Sequence, residues 1–145
     1  MKEQIAMSLE VKSVIRMGEE EETYVATSQG QLRISSGVNS LTYTEEVGGK
    51  RVYTTLTYRL GATRVHFKKR VGVKSELVFE EGLEYTGVYE VSPYAFDMTV
   101  RSHKVRGNLG EEGGEILLAY TRILGGDTAE VTLHITGVPL GEEDL

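Results

Sequence analysis

The sequence predicts an all-β fold, a single antiparallel up-and-down β-barrel of about eight to ten strands. Apolar and polar residues alternate with period two along most of the 145-residue chain, and helical spacing over about eleven or more positions is hard to find. Glycine-containing breaks recur at Gly18, Gly30, Gly37, Gly48-Gly49, Gly61, Gly72, Gly82, Gly113-Gly114 and Gly125-Gly126. Short alternating strands between close turns suit a closed sheet or a sandwich, and full closure removes the free edges that invite aggregation.

The first strand reads Met7, Leu9, Val11, Ser13, Ile15 on one face and Ser8, Glu10, Lys12, Val14, Arg16 on the other. A two-residue Gly48-Gly49 loop sets Leu41 opposite Leu56, Tyr43 opposite Thr54 and Glu46 opposite Arg51. A Gly61-Ala62 loop, with glycine first as a type II′ turn prefers, sets Leu56 opposite Phe67 and Tyr58 opposite Val65. A three-residue loop centred on Gly72 sets Phe67 opposite Leu77, Val65 opposite Phe79, Lys68 opposite Glu76 and Arg64 opposite Glu80. The turn Glu81-Gly82-Leu83 sets Phe79 opposite Tyr85 and Leu77 opposite Gly87. A final Gly125-Gly126 loop pairs Tyr120, Leu118 and Ile116 with Val131, Leu133 and Ile135. The consecutive hairpins from Leu41 to Gly87 agree on one inner face, and a slip of one residue would turn that whole face out to water.

Composition bounds the function classes. The length suits one domain, residues 1–145, with an ordered barrel over about 5–138 and an acidic tail at 141–145. Hydrophobic residues at 39% and charged residues at 26% describe a globular rather than a disordered chain. The absence of cysteine excludes disulfides, thiolate zinc sites and cysteine nucleophiles. A net charge of −6 and a pI near 5.2 disfavour general nucleic-acid binding. No stretch approaches the roughly 20 apolar residues that span a bilayer, and Ile5-Ala6-Met7 is too short for a secretory signal. The expectation is a cytoplasmic protein with no nucleic-acid and no membrane partner.

"SLEVKSVI" at Ser8–Ile15, "RVGVKSELVFEEG" at Arg70–Gly82 and "GEILLAYTRILGG" at Gly114–Gly126 together resemble the YwiB-like family of small bacterial proteins. The resemblance runs from about Ile5 to Val138. "YEVSPYAFDMTV" at Tyr89–Val100 is similar to that family's Thr-Pro-aromatic-Gly segment, with departures at Ser92 and Ala95. The resemblance implies a calycin (lipocalin-like) β-barrel in a bacterial cytoplasm, and transfers no catalytic residues.

Between Gly48 and Ser75 stand Lys50, Arg51, Arg59, Arg64, Lys68, Lys69, Arg70 and Lys74, with no acid among them. Most are assigned to an outer face, where Arg51, Lys68 and Arg64 meet glutamates and Arg70 lies over Tyr53. Lys69 is the exception, since parity with Val65 and Phe67 turns it inward. The register then predicts a polar row across five strands, Tyr43-Thr54-Lys69-Ser75-Tyr89. An unpaired ammonium indoors is costly, so Lys69 requires water, an anionic ligand or a carboxylate, and Glu45 is the nearest one. Tyr120 and Arg122 form a second inward pair, although a site close to the final turn favours Arg122 extending outward to solvent.

Signals for catalysis are weak. His66 and His134 take outward parity opposite Thr57 and Leu117, and His103 sits where alternation breaks after Val100, which suggests a bulge. Phosphate-loop, nucleophile-elbow and zinc-protease motifs are absent, and the run Glu19–Glu22 is assigned to a solvated turn. No cofactor and no metal are expected, and an enzyme is the least favoured class. Two functions remain open. In one, a small anionic or amphipathic molecule binds inside the barrel at Tyr43, Thr54, Lys69, Ser75, Tyr89, Tyr120 and Arg122, with its tail on Leu41, Leu56, Phe67, Leu77 and Phe79. In the other, a packed barrel, monomer or homodimer, contacts another protein through the uncharged outer patch Thr42, Thr44, Tyr53, Thr55 and Thr57.

Overall fold

Period-two alternation gives every strand one inward row, and glycine turns hold successive strands in antiparallel register. The computed structural model describes residues 4–141. Its strands are β1 (Gln4–Met17), β2 (Glu20–Ser35), β3 (Val38–Val47), β4 (Lys50–Tyr58), β5 (Arg64–Arg70), β6 (Lys74–Glu80), β7 (Glu84–Val91), β8 (Tyr94–Gly107), β9 (Gly114–Leu124) and β10 (Asp127–Pro139). Each lies beside its sequence neighbours and β10 returns to β1, so the sheet closes as a ten-stranded antiparallel barrel. Of the acidic tail expected at 141–145, only Gly141 falls within the described residues.

The turn arithmetic holds at β3–β4, β5–β6 and β9–β10, where the paired residues are those read from the sequence. Gly48 and Gly49, at φ 57° and 79°, form the left-handed two-residue turn whose twist matches a hairpin. At β4–β5 the register is as expected and the turn is not. Gly61, at φ 83°, is third in a turn closed by Ala62 N–H donating to Arg59 O at 2.9 Å. The loop is longer than two residues because it crosses the barrel end to pair Ala62 with Gly107. Between β6 and β7 the ladder is confined to Lys74↔Glu90 and Ser75↔Tyr89, because the β6–β7 turn pairs with β8 instead, through Gly82 N–H to Ser102 O at 2.9 Å.

Two other sequence expectations are corrected. Gly30 is no turn: it lies within β2, where a Cβ would fall 2.7 Å from Leu9 Cδ1 and 3.0 Å from Thr42 O. It is glycine because neighbouring strands approach closely there. Glu20, Glu21 and Glu22 likewise belong to the start of β2, opposite Met17, Arg16 and Ile15, exposed as expected but not in a turn.

The core fills the end of the barrel that holds the β2–β3, β4–β5, β6–β7 and β8–β9 connections. Leu32, Leu41, Leu56, Val65, Phe79 and Ile116 are all 1% exposed or less, and burying each such side chain contributes roughly 1.5–3 kcal/mol. The β8–β9 connection closes that end. Leu109 is fully buried, and its carbonyl accepts hydrogen bonds from Tyr58 Oη at 2.6 Å and Asn39 Nδ2 at 3.1 Å. Burial pushes the Tyr58 hydroxyl well above its ordinary pKa, so it stays a donor. Among the described residues no helix is long and apolar enough to cross a membrane.

Candidate functional site

The opposite end stays open. The predicted polar row is assembled as read: Tyr43↔Thr54, Thr54↔Lys69, Lys69↔Ser75 and Ser75↔Tyr89 are directly opposite pairs on consecutive strands β3 to β7. Glu45, one inward position above Tyr43, ion-pairs with Lys69 and accepts a hydrogen bond from Thr54 Oγ1 at 2.8 Å. The two charged side chains are 26% and 19% exposed, so water screens them only partly. Lys69 Nζ also stands 5.4 Å from the centroid of the Phe67 ring. The carboxylate named from parity is the one that neutralises the inward lysine.

Above the row lies a cavity of about 790 Å³. Phe67, Leu77, Met98, Val131 and Leu133 supply its apolar wall, and Tyr43, Lys69, Ser75, Tyr89, Tyr120 and Arg122 its polar lining. Thr54 is fully buried behind Glu45 and acts through it. The expected tail site is corrected in part. Phe67 and Leu77 do line the cavity, whereas Leu41, Leu56 and Phe79 are packed shut beneath the row.

Arg122 and Tyr120 enter from β9. Arg122 does not extend outward as its closeness to the turn suggests: the side chain lines the cavity, and its Nε is buried with no hydrogen-bond partner among the described residues. β9 carries it inward because Arg122 shares parity with Tyr120 and pairs with inward Ala129 and Val100. Tyr120 packs its ring 4.6 Å from that of Phe79, and burial pushes its hydroxyl up to about 12 despite the opposing pull of Arg122. Burial likewise raises the Tyr43 hydroxyl well above its ordinary value, with Glu45 and then Tyr120 adding to the rise. Both phenols are therefore neutral hydrogen-bonding groups at physiological pH. Ser75 Oγ is a second buried atom at the cavity without a partner among the described residues.

The outer face carries the remaining charge. Arg64 meets Glu80 at 3.5 Å, and Arg70 stands 6.0 Å from the Tyr53 ring, both as expected. Lys68 does not take Glu76, which pairs with His66 at 2.9 Å. Arg51 and Glu46 are opposite each other without an ion pair among the described residues. All three histidines are outward and each faces a glutamate: His66 with Glu76, His103 with Glu130 at 3.6 Å and His134 with Glu115 at 2.6 Å. The bulge expected at His103 is present, as a register shift between Ser102 and Lys104. Among the described residues no three metal-ligating side chains come together.

Residues 9–135 match the family model described as domain of unknown function DUF1934. The chain belongs to the DUF1934 family. The crystal structure of ywiB protein from Bacillus subtilis is similar to it at a TM-score of 0.84 and 24% sequence identity, covering 97% of this chain and 96% of that one. The YwiB-like resemblance read from the sequence is thereby shown, and the likeness in structure extends to the fold. No curated protein matches the chain. This DUF1934 chain is thus a barrel packed at one end, with Arg122 Nε and Ser75 Oγ buried without partners at a cavity toward the other.

Proposed function

We propose that the open end binds a small amphipathic monoanion, with the anionic group at Arg122 and Ser75 and the apolar body on Phe67, Leu77, Met98 and Leu133. The observation that carries this reading is the buried, unpartnered Arg122 Nε. A guanidinium nitrogen taken out of water without a partner is destabilising, and a carboxylate or phosphate oxygen is its best match. Lys69 is answered by Glu45, so the free positive charge is not the lysine that the sequence singles out. The cavity lining holds Arg51, Lys69 and Arg122 against Glu45 and Glu46, an excess of one cation, which suits a ligand of one negative charge. A few polar groups converging in a mostly apolar cavity is the usual form of a ligand site. Binding rather than catalysis fits a lumen whose inward carboxylate is already engaged, and a calycin-like carrier or sensor in the cytoplasm is the corresponding role. Ion pairs on the outer face, where a membrane barrel carries an apolar band, support an aqueous setting.

Native mass spectrometry of gently purified protein, compared with the denatured mass, tests retention of a ligand. Titration with decanoate tests the chemistry: Arg122→Met should weaken binding by at least about tenfold, the loss of one charge-assisted hydrogen bond. Equal binding by the variant, or none by the parent, would overturn the reading.

A second reading has its own observation. The outer patch Thr42, Thr44, Tyr53 and Thr55 borders a shallow groove of about 770 Å³ edged by Arg33, Lys68 and Arg70. Thr42 and Thr55 satisfy each other at 3.1 Å, which leaves a neutral β-surface suited to a protein partner or a second copy. Sedimentation of the parent and of Thr55→Glu distinguishes a dimer on this face from a monomer.

A further inference from the structure

The barrel closes, but the ladder between β2 and β3 covers only part of the two strands. The ladder joining them runs from Ser35↔Val38 to Gly30↔Tyr43 and stops there. Both strands continue toward the open end. β2 runs back to Glu20 bonded to β1, and β3 runs on to Val47 bonded to β4. Past Gly30 and Tyr43, no residue pair continues the β2–β3 ladder among the described residues. The bridge between them is a side chain, Ser28 Oγ donating to Thr44 O at 3.4 Å. Both edges then line the cavity, with alternate side chains and the strands between them: Tyr24 to Ser28 on one side and Tyr43 to Val47 on the other.

The β2 edge lacks the devices that protect free edges. Thr23 to Gln31 contains no charge and no proline, and Tyr24 and Val25 are 56% and 58% exposed. Long uncharged edges with exposed apolar side chains are templates for an added strand. Gly30 marks the point where the strands part, since a side chain there would not fit against Leu9 and Thr42.

We infer that the β2–β3 seam is a docking site for an extended peptide that inserts as a strand between the two edges. Two facing edges, each with unpaired backbone groups, are completed by one strand, antiparallel to one neighbour and parallel to the other. A second copy of the chain is a poorer occupant, because its own β2 remains bonded to its β1 and could cover one edge only. The partner's chemistry follows from the lining. Val25, Ala26 and Thr27 favour uncharged β-branched residues at its centre, and Glu46 on the β3 edge, with Glu22 further out along β2, favours a flanking lysine or arginine. Recognition rests on backbone pairing along the wall of the cavity, so it does not require the anion site at Arg122.

Amide hydrogen exchange on the intact chain tests the seam directly. In the free protein, amides of Tyr24–Gln29 and Thr44–Val47 that face the seam should exchange rapidly. A pool of short blocked peptides with randomised β-branched centres and one terminal lysine should contain members that slow them by at least about tenfold. The chain has no cysteine, so Gln29→Cys with Thr44→Cys, the next outward positions past the last paired residues, can lock the seam on oxidation. The oxidised form should lose peptide binding by at least about tenfold and regain it on reduction, while decanoate binding is unchanged. Edge amides already protected in the free protein, a pool with no protecting member, or equal peptide binding by locked and reduced forms would each overturn the inference. Loss of decanoate binding with retained peptide protection would sink the anion site alone.

Discussion

Replacing Glu45 by Gln and Lys69 by Met, singly and together, measures whether the inward ion pair is an energetic unit. In the parent, one carboxylate oxygen accepts from both Lys69 Nζ and Thr54 Oγ1. Lys69→Met removes the cation and leaves a partly buried carboxylate with a single hydroxyl donor. Glu45→Gln leaves an ammonium beside Phe67 with no other acid at ion-pair distance among the described residues. The side chains are 19% and 26% exposed, between the exposed regime, where a pair contributes about 0–1 kcal/mol, and full burial, where breaking one costs about 3–5 kcal/mol. Each single change should therefore destabilise by about 1–2 kcal/mol, and the double variant by less than the sum, with a coupling of about 1–1.5 kcal/mol.

Urea denaturation followed by far-ultraviolet circular dichroism reads this out. At an m-value of about 2 kcal/mol/M, each single variant shifts its midpoint by roughly 0.5–1 M. Arg64 and Glu80 are the internal control, because their side chains are 66% and 39% exposed. Their coupling should stay below about 0.5 kcal/mol and fade as salt is added, while that of Lys69 and Glu45 persists. Additive single changes at Glu45 and Lys69, or a Lys69→Met variant as stable as the parent, would refute the argument that Glu45 neutralises the lysine. The anion site would then move from Arg122 to Lys69.

Other expectations follow from the same geometry. Tyr58→Phe removes a buried donor to Leu109 O, leaves Asn39 to satisfy that carbonyl alone and should lower stability by about 0.5–1.5 kcal/mol in the same urea assay. Val71→Asn should stabilise, by about 1 kcal/mol, because the β-branched Val71 is held at φ 62° beside Gly72 at φ 84°, a hairpin turn that asparagine-glycine adopts without strain. On the alkaline side, the Tyr120 hydroxyl is raised from its ordinary 10 to about 12. A raised folded value means that its contribution is fully present below pH 10 and is lost as pH climbs through about 12. Thermal melts between pH 9 and 12 should therefore fall more steeply for the parent than for Tyr120→Phe.

The hairpin registers were legible because parity is a hard constraint: once a turn length is given, every opposite pair follows, and an inward Lys69 with Glu45 at hand follows from the same counting. Gly30 was not legible, since a glycine between alternating residues reads equally as a turn or as a close approach of strands. His66 with Glu76 shows the limit of direct opposition. Lys68 is opposite Glu76, yet the diagonal His66 takes it, a neighbour that cross-strand geometry allows and simple pairing ignores. The inward set of Arg122 was available from parity, and its closeness to the Gly125-Gly126 turn outweighed that signal. The seam between β2 and β3 depends on how far each strand runs past its last paired residue, which local pattern does not encode.

The division of the lumen into two unlike halves bears on function more than any single residue. Toward the closed end, inward positions are apolar apart from Asn39, Tyr58 and Ser102, and the donors of Asn39 and Tyr58 converge on Leu109 O. Toward the open end the same inward parity delivers Glu45, Lys69, Ser75, Tyr120 and Arg122. A barrel selected only for stability gains nothing from that substitution, because well-packed apolar side chains at buried positions are usually as stabilising as an ion pair there, or more so. Buried polar groups without partners lower stability further, and such local departures from good packing concentrate at sites where something must bind. Arg122 Nε and Ser75 Oγ are departures of this kind in the half that is open, with a cavity in front of them. Ser102 Oγ is also buried without a partner, at the bulge of β8 and outside the cavity lining. Of these atoms, Arg122 Nε and Ser75 Oγ face the open volume that the ligand proposed above would occupy, and Ser102 Oγ does not.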